Sequence, residues 1–211
     1  MVKKLLLPFA AIVIGFIINI WLGLAITAVL LIYTVYTKLP NFYAIYANKL
    51  FSENDSQGAI KWYKRAIKTG RASDNLKLAY SMLLLRTGFP KDAQAQLDLL
   101  ASSKTVTPQI KSQAKQYRCL AYYKQGRMDE AMEDAKELFS EMKNTITYGI
   151  MGLFMLLTDA PIDETVELCE EACDYNSDDR DILDNMALAY YRAGRYEEAK
   201  ECTDRLTGEH T

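Results

Sequence analysis

The densest set of side chains with a chemistry to offer is Asp178, Asp179, Asp181 and Asp184, and that chemistry would be calcium binding. Their spacing does not match an EF-hand loop, which needs a glycine at its turn and a terminal glutamate. An acidic helix start, with Asp178 or Asp179 as the N-cap, accounts for all four. The cysteines, Cys119, Cys169, Cys173 and Cys202, form no Cys-x-x-Cys pair, and the single histidine is His210. Zinc ligands come in tightly spaced pairs, so the thiols read as small buried side chains in a reducing compartment. Neither a P-loop nor a Gly-x-Gly-x-x-Gly pattern occurs, and no nucleophile has a histidine to work with. Glu133, Lys136 and Glu137 read as a solvated helix face, and Asn54-Asp-Ser56, formally a glycosylation acceptor, as a turn. The expectation is a protein with no catalytic activity, no cofactor and no metal.

The elements behind these residues fall into two parts. Residues 5–37 carry no charge, whereas residues 39–211 hold 22 of the 25 basic residues and all 27 acidic ones. A net charge of −2 and a pI near 5.6 argue against a nucleic-acid binder, which would normally be basic overall. The chain is an acidic domain attached to a very apolar N-terminus.

The apolar run Leu5–Thr37 lies between Lys3-Lys4 and Lys38 and is too long for a signal-peptide core. As one straight helix it would span about 50 Å, against about 30 Å of hydrocarbon. A helical hairpin turning near 19–23 puts Asn19, Trp21 and Gly23 at the far interface. It also keeps Lys3, Lys4 and Lys38 on one side, as the positive-inside rule favours. The competing reading is a single long tilted helix, in which Ala11, Gly15, Asn19, Gly23 and Thr27 recur every fourth residue as a small-residue packing stripe. Residues 1–38 are expected to anchor the chain in the cell membrane, with the rest facing the cytoplasm.

The remainder is repetitive. Leu120–Ala131 (LAYYKQGRMDEA) returns as Leu188–Ala199 (LAYYRAGRYEEA), 68 residues on, twice a period of 34. In the phrase, Ala-Tyr-Tyr ends one helix, Gly126 or Gly194 takes a left-handed turn, and acidic residues open a second helix. The alanine slot falls on Ala59, Ala93, Ala131, Thr165 and Ala199, with one step of 38 that implies a four-residue insertion near Ser102–Gln109, in a loop marked by Thr107-Pro108. Units of 40–73, 74–107, 112–145, 146–179 and 180–211 exceed the three or so a solenoid needs.

The pattern resembles the tetratricopeptide repeat, a 34-residue helical hairpin. The carrying residues are Ala121, Tyr122, Gly126 and Ala131 in unit three, Met186, Ala187, Tyr190, Gly194, Tyr196 and Ala199 in unit five, and Tyr43, Tyr46, Ala47, Ala59, Tyr63 and Ala66 in unit one. Unit two offers Leu84, Gly88, Ala93 and Leu97, while unit four departs most, with Ala160-Pro161 at the turn and Thr165 in the alanine slot. The resemblance covers 40–211 and implies an all-α solenoid of about five hairpins. Second-helix residues such as Met132 and Phe139, or Val166 and Cys173, should pack on the following unit. Lys200 and Thr207 at the equivalent places of unit five suit a terminal repeat.

The resemblance also implies a peptide-binding concave face made by the first helix of each unit. The candidate lining is Phe51, then Leu78, Met82 and Leu85, then Leu120 and Tyr123, then Ile150, Phe154 and Leu157, then Leu188 and Tyr191, rimmed by Arg86, Lys124 and Arg192. Ala44, Asn48, Gln116 and Asp184 complete the positions. Ala44, Ala79, Gln113 and Tyr117 stand where the family's chaperone-tail clamp needs Lys, Asn, Lys and Arg, which argues against acidic chaperone tails. The reading is a membrane adaptor that takes an apolar protein or peptide. The alternative is a structural protein whose copies assemble through Ala11, Gly15, Asn19 and Gly23, with the repeats as spacers.

Overall fold

The computed structural model describes residues 2–158 and 160–208. Among them there are eleven α-helices and no strand. Residues Met1–Tyr80 and Ser81–Thr211 form two compact units, each with its own packing.

In the first unit α1 (Val2–Ile18) and α2 (Ile20–Ser52) divide the apolar run at Asn19. Asn19 is extended (φ −162°, ψ 135°), and its side chain caps α2 by accepting from the Trp21 N–H at 2.8 Å. The break lies within residues 19–23, and the glycines on either side of it explain how the helices meet. A Cβ on Gly15 would sit 3.2 Å from the Gly23 Cα, and one on Gly23 would run into the Phe16 ring. Both glycines are therefore used within the chain, to bring α1 against α2. Ala11 and Asn19 are exposed, and the side chains of Lys3 and Lys4 lie outside the described residues.

A boundary between anchor and repeats was expected at Lys38–Pro40, but α2 runs through Pro40 without interruption. Proline costs a helix one hydrogen bond, here to the Tyr36 carbonyl, and crowds the preceding turn. The long apolar segment before it and the packing on α3 (Ser56–Lys68) after it hold the helix together. Trp62 of α3 receives Tyr43 and Tyr46 with ring centroids 5.4 and 4.9 Å away. Tyr63 donates to Asn48 Oδ1 at 2.7 Å and stacks on Tyr80 at 5.8 Å. Ala47, Ala59 and Ala66 close the contact with no exposed surface.

Helix α4 (Asp74–Arg86) carries the boundary between the units. The second unit continues with α5 (Pro90–Ser102), α6 (Pro108–Lys124), α7 (Met128–Glu141), α8 (Thr145–Leu157), α9 (Ile162–Tyr175), α10 (Arg180–Arg192) and α11 (Tyr196–Thr207). Three of its turns use a left-handed glycine, Gly88, Gly126 and Gly194, each five residues before its slot alanine. In the first unit Asn54 takes the same place with φ 64°, a conformation Asn tolerates better than most residues. After each of these the next N–H reaches back five residues, as in Arg127 to the Tyr122 carbonyl and Arg195 to the Tyr190 carbonyl, the closure of a Schellman cap. The five slot residues are buried.

The four inserted residues lie elsewhere than expected. The connection before α6 is no longer than the one before α4; instead α6 has 17 residues where α4, α8 and α10 have 13. Thr107 caps this extra turn and Pro108 opens it, a position where a missing N–H costs nothing. The interfaces between successive hairpins form as the repeat pattern predicts. Met132, Ile150 and Met151 pack against the cluster that holds buried Phe154, and Phe139 meets Tyr148 edge-on at 5.0 Å. Val166 and Cys169 lie with Ala189, Tyr190 and Cys202. Lys200 and Thr207 are exposed.

Candidate functional site

The first helices of the last three hairpins, α6, α8 and α10, present one face each that is not consumed by packing. On α6 it shows Leu120, Tyr123 and Lys124, and on α10 Leu188, Tyr191 and Arg192, all exposed. The Arg192 guanidinium donates to the Leu156 carbonyl at the end of α8, so α10 also closes the C-terminus of α8. Helices α8 and α10 approach closely at two glycines. Asn185, a buried polar residue that sequence reasoning missed, donates to the Gly149 carbonyl at 2.8 Å, and Gly152 leaves room for its amide. Beside this contact lies a cavity of about 290 Å³ walled by Ile146, Gly149, Ile150 and Leu153 on one side and Asp181, Asp184 and Asn185 on the other. Asp179 is the N-cap of α10, accepting from the Asp181 and Ile182 N–H groups at 3.1 Å.

Helix α8 differs from its neighbours by one residue. The connection between α8 and α9 has four residues, 158–161, where those after α4, α6 and α10 have three. Counting back from Thr165 therefore assigns α8 to the wrong phase. Phe154 is 3% exposed, inside the cluster of Cys119, Ala131, Ala135 and Leu138, whereas Leu153 is 41% exposed. Phe154 is core, with Tyr123 edge-on to it at 6.3 Å, and Leu153 occupies the exposed position instead. Ile150 is half-buried and Leu157 exposed. Of the candidates on α2 and α4, Leu78 and Leu85 are also buried core, Phe51 and Met82 are half-buried, and Arg86 is exposed. The extra residue is visible in the sequence only as Ala160-Pro161 at the turn.

The thiols are packing groups. Cys119, Cys169 and Cys202 are buried, and burial pushes the thiols of Cys119 and Cys169 up to about 12 and raises that of Cys202. Cys173 is half-buried. Since the thiolate is the reactive form, a disulfide reagent applied to the native protein at pH 8 is expected to modify Cys173 and spare the other three until the protein is unfolded. Site-resolved mass spectrometry checks this, and fast labelling of Cys119 would contradict the packing. His210 lies outside the described residues.

Residues 180–202, which span α10 and most of α11, match the model of the tetratricopeptide repeat. Among solved structures, the fold is shared by MamA from Desulfovibrio magneticus RS-1, with a TM-score of 0.62, 12% identity, and coverage of 80% of this chain and 93% of that one. It is shared by pilF of Pseudomonas aeruginosa, with a TM-score of 0.64, 15% identity, and coverage of 83% and 78%. YrrB, described as a TPR protein with an unusual peptide-binding site, aligns with a TM-score of 0.53, 16% identity, and coverage of 78% and 82%. No curated protein matches the chain by sequence. The fold is an all-helical solenoid of hairpins. More particularly, it is the solenoid of tetratricopeptide-repeat proteins, and its last hairpin carries the repeat signature in sequence as well.

Proposed function

We propose that this protein is a membrane-anchored adaptor without catalytic activity, which holds a protein or peptide partner on the exposed first-helix face of α6, α8 and α10. The observation that carries the reading is the run of exposed apolar side chains, Leu120, Tyr123, Leu153, Leu157, Leu188 and Tyr191, on helices whose opposite faces are fully packed. Apolar surface gathered on one face of a soluble domain marks a contact site, and a groove between helices suits an amphipathic helix or extended apolar peptide. The peptide-binding site in the description of YrrB, a protein of the same fold, supports such a role for the solenoid.

Anchoring rests on α2. By length and composition it can cross a membrane, and its apolar half is exposed rather than packed in a core. We assign the anchor to residues 1–38 and the repeats to the cytoplasmic side, following the placement of Lys38. The use of Gly15 and Gly23 within the chain favours this reading over assembly of copies through the small-residue stripe.

The test uses full-length protein in mild detergent as bait against solubilised membranes and cytosol. Leu188→Glu/Tyr191→Glu alters the proposed face, and Leu99→Glu, exposed on α5 away from that face, serves as the control. A partner retained by the wild type and the control, and reduced at least tenfold by the double variant, is the expected result. Identical capture by all three would remove the groove from the account.

A further inference from the structure

Charge is divided along this chain, and the division follows the fold. Residues 38–73 hold seven Lys and Arg against two acids, a balance of +5, while residues 74–211 stand at −9. From Ser56 to Ser73 there are five cations and no acid. Four of them, Lys61, Lys64, Arg65 and Lys68, lie on α3 at spacings of three, four and seven, so they share one helix face. All four are exposed, opposite the Ala59, Tyr63 and Ala66 face that packs on α2. Among the described residues none of the four has a carboxylate partner, whereas Lys115, Arg118, Lys143 and Arg195 all do.

Like charges three and four apart on a helix repel by a few tenths of a kcal/mol per pair. The C-terminal dipole of α3 offsets this for Arg65 and Lys68 in the last turn. It does nothing for Lys61 and Lys64, nor does it explain the absence of acids. An anionic surface facing the stripe explains all of it.

The packing says where that surface lies. Helix α3 runs back along α2: Tyr63 meets Asn48, Trp62 meets Tyr43, and beyond the helix end Arg71 lies over the Tyr36 ring at 3.3 Å. The C-terminal end of α3 is thus level with Tyr36, two residues before Lys38, where the apolar run stops. From Tyr36 to Asn48 the helix rises about 18 Å, so the stripe sits just above the end of the apolar segment. We infer that the exposed face of α3 binds the anionic phospholipid headgroups of the membrane that α2 enters. This rests on the anchoring reading above. Each cation near such a surface contributes about a fivefold preference for anionic lipid, weakened by salt.

The test uses the full chain reconstituted in phosphatidylcholine vesicles containing a trace of spin-labelled phosphatidylglycerol or spin-labelled phosphatidylcholine. The readout is the ratio of the two lipids' association with the protein, after flotation through an alkaline wash. The wild type is expected to survive the wash and prefer phosphatidylglycerol at least fivefold, and the preference should fall toward one in 0.5 M salt. Lys61→Gln/Lys64→Gln/Arg65→Gln/Lys68→Gln, with helicity checked by circular dichroism, should bring the ratio below about two. Lys91→Gln/Lys111→Gln should leave it unchanged. A wild type that survives the wash with a ratio of one, or a four-site variant that keeps the full preference, overturns the inference alone; the stripe would then face an acidic protein. A chain stripped by the wash overturns the anchoring reading and this one with it.

Discussion

Phe154→Ala is expected to destabilise the protein by about 3–4 kcal/mol, whereas Leu153→Ala, one residue earlier on α8, should cost under about 1 kcal/mol. The Phe154 side chain fills the space between Cys119 of α6 and Ala131, Ala135 and Leu138 of α7. Its removal forfeits both the transfer of a large ring from water and the contacts around the resulting void, which three helices cannot collapse to fill. Leu153 has nearly half its surface in solvent already. Urea unfolding of the full-length chain in detergent, followed by far-ultraviolet circular dichroism, separates the two. Equal costs would mean that α8 keeps the phase of its neighbours and that Phe154 belongs to the exposed face after all.

The second large effect concerns a charge cluster. Arg118 of α6 grips Asp134 of α7 with two parallel bonds, Nε to Oδ2 at 2.7 Å and Nη2 to Oδ1 at 2.6 Å. Its third nitrogen, Nη1, reaches Asp98 of α5 at 3.1 Å. Asp134 is buried, and the bonds to it hold the Arg118 guanidinium well above its ordinary range. Arg118→Met leaves that carboxylate buried with no cation, which is expected to cost about 3 kcal/mol. Arg118→Met/Asp134→Leu should recover most of the loss, because removing both partners leaves nothing stranded. The same unfolding measurement checks this. A double variant no better than the single one would mean that the side chains matter for packing and the charges do not.

Much of this architecture is legible in the sequence itself. A period of 34 locates the buried alanine slot, the left-handed turn positions and the second-helix contacts, because each is a steric requirement that admits few residue types. Changes of phase that cost nothing locally are not legible in the same way. Four residues added ahead of Gln109 could lengthen a loop or a helix, and only the Thr107 cap with Pro108 at the first helical position favours the helix. One residue added at 158–161 moves a whole helix face, yet Leu153 and Phe154 are both apolar and give no sign of which points inward. Pro40 suggests a boundary by its own preference, which packing against α3 overrides. The Arg118 cluster follows no repeat, so periodicity could not announce it.

The continuity of α2 through Pro40 has a mechanical consequence. With no flexible linker between its apolar half and the half that bears Trp62 and the rest of α3, the helix behaves as a drive shaft. A twist or tilt imposed on the apolar end is passed to the first hairpin along one helix. Since each helical residue advances the chain by about 100°, the register of residues 20–38 sets the compass bearing of every side chain on the first hairpin.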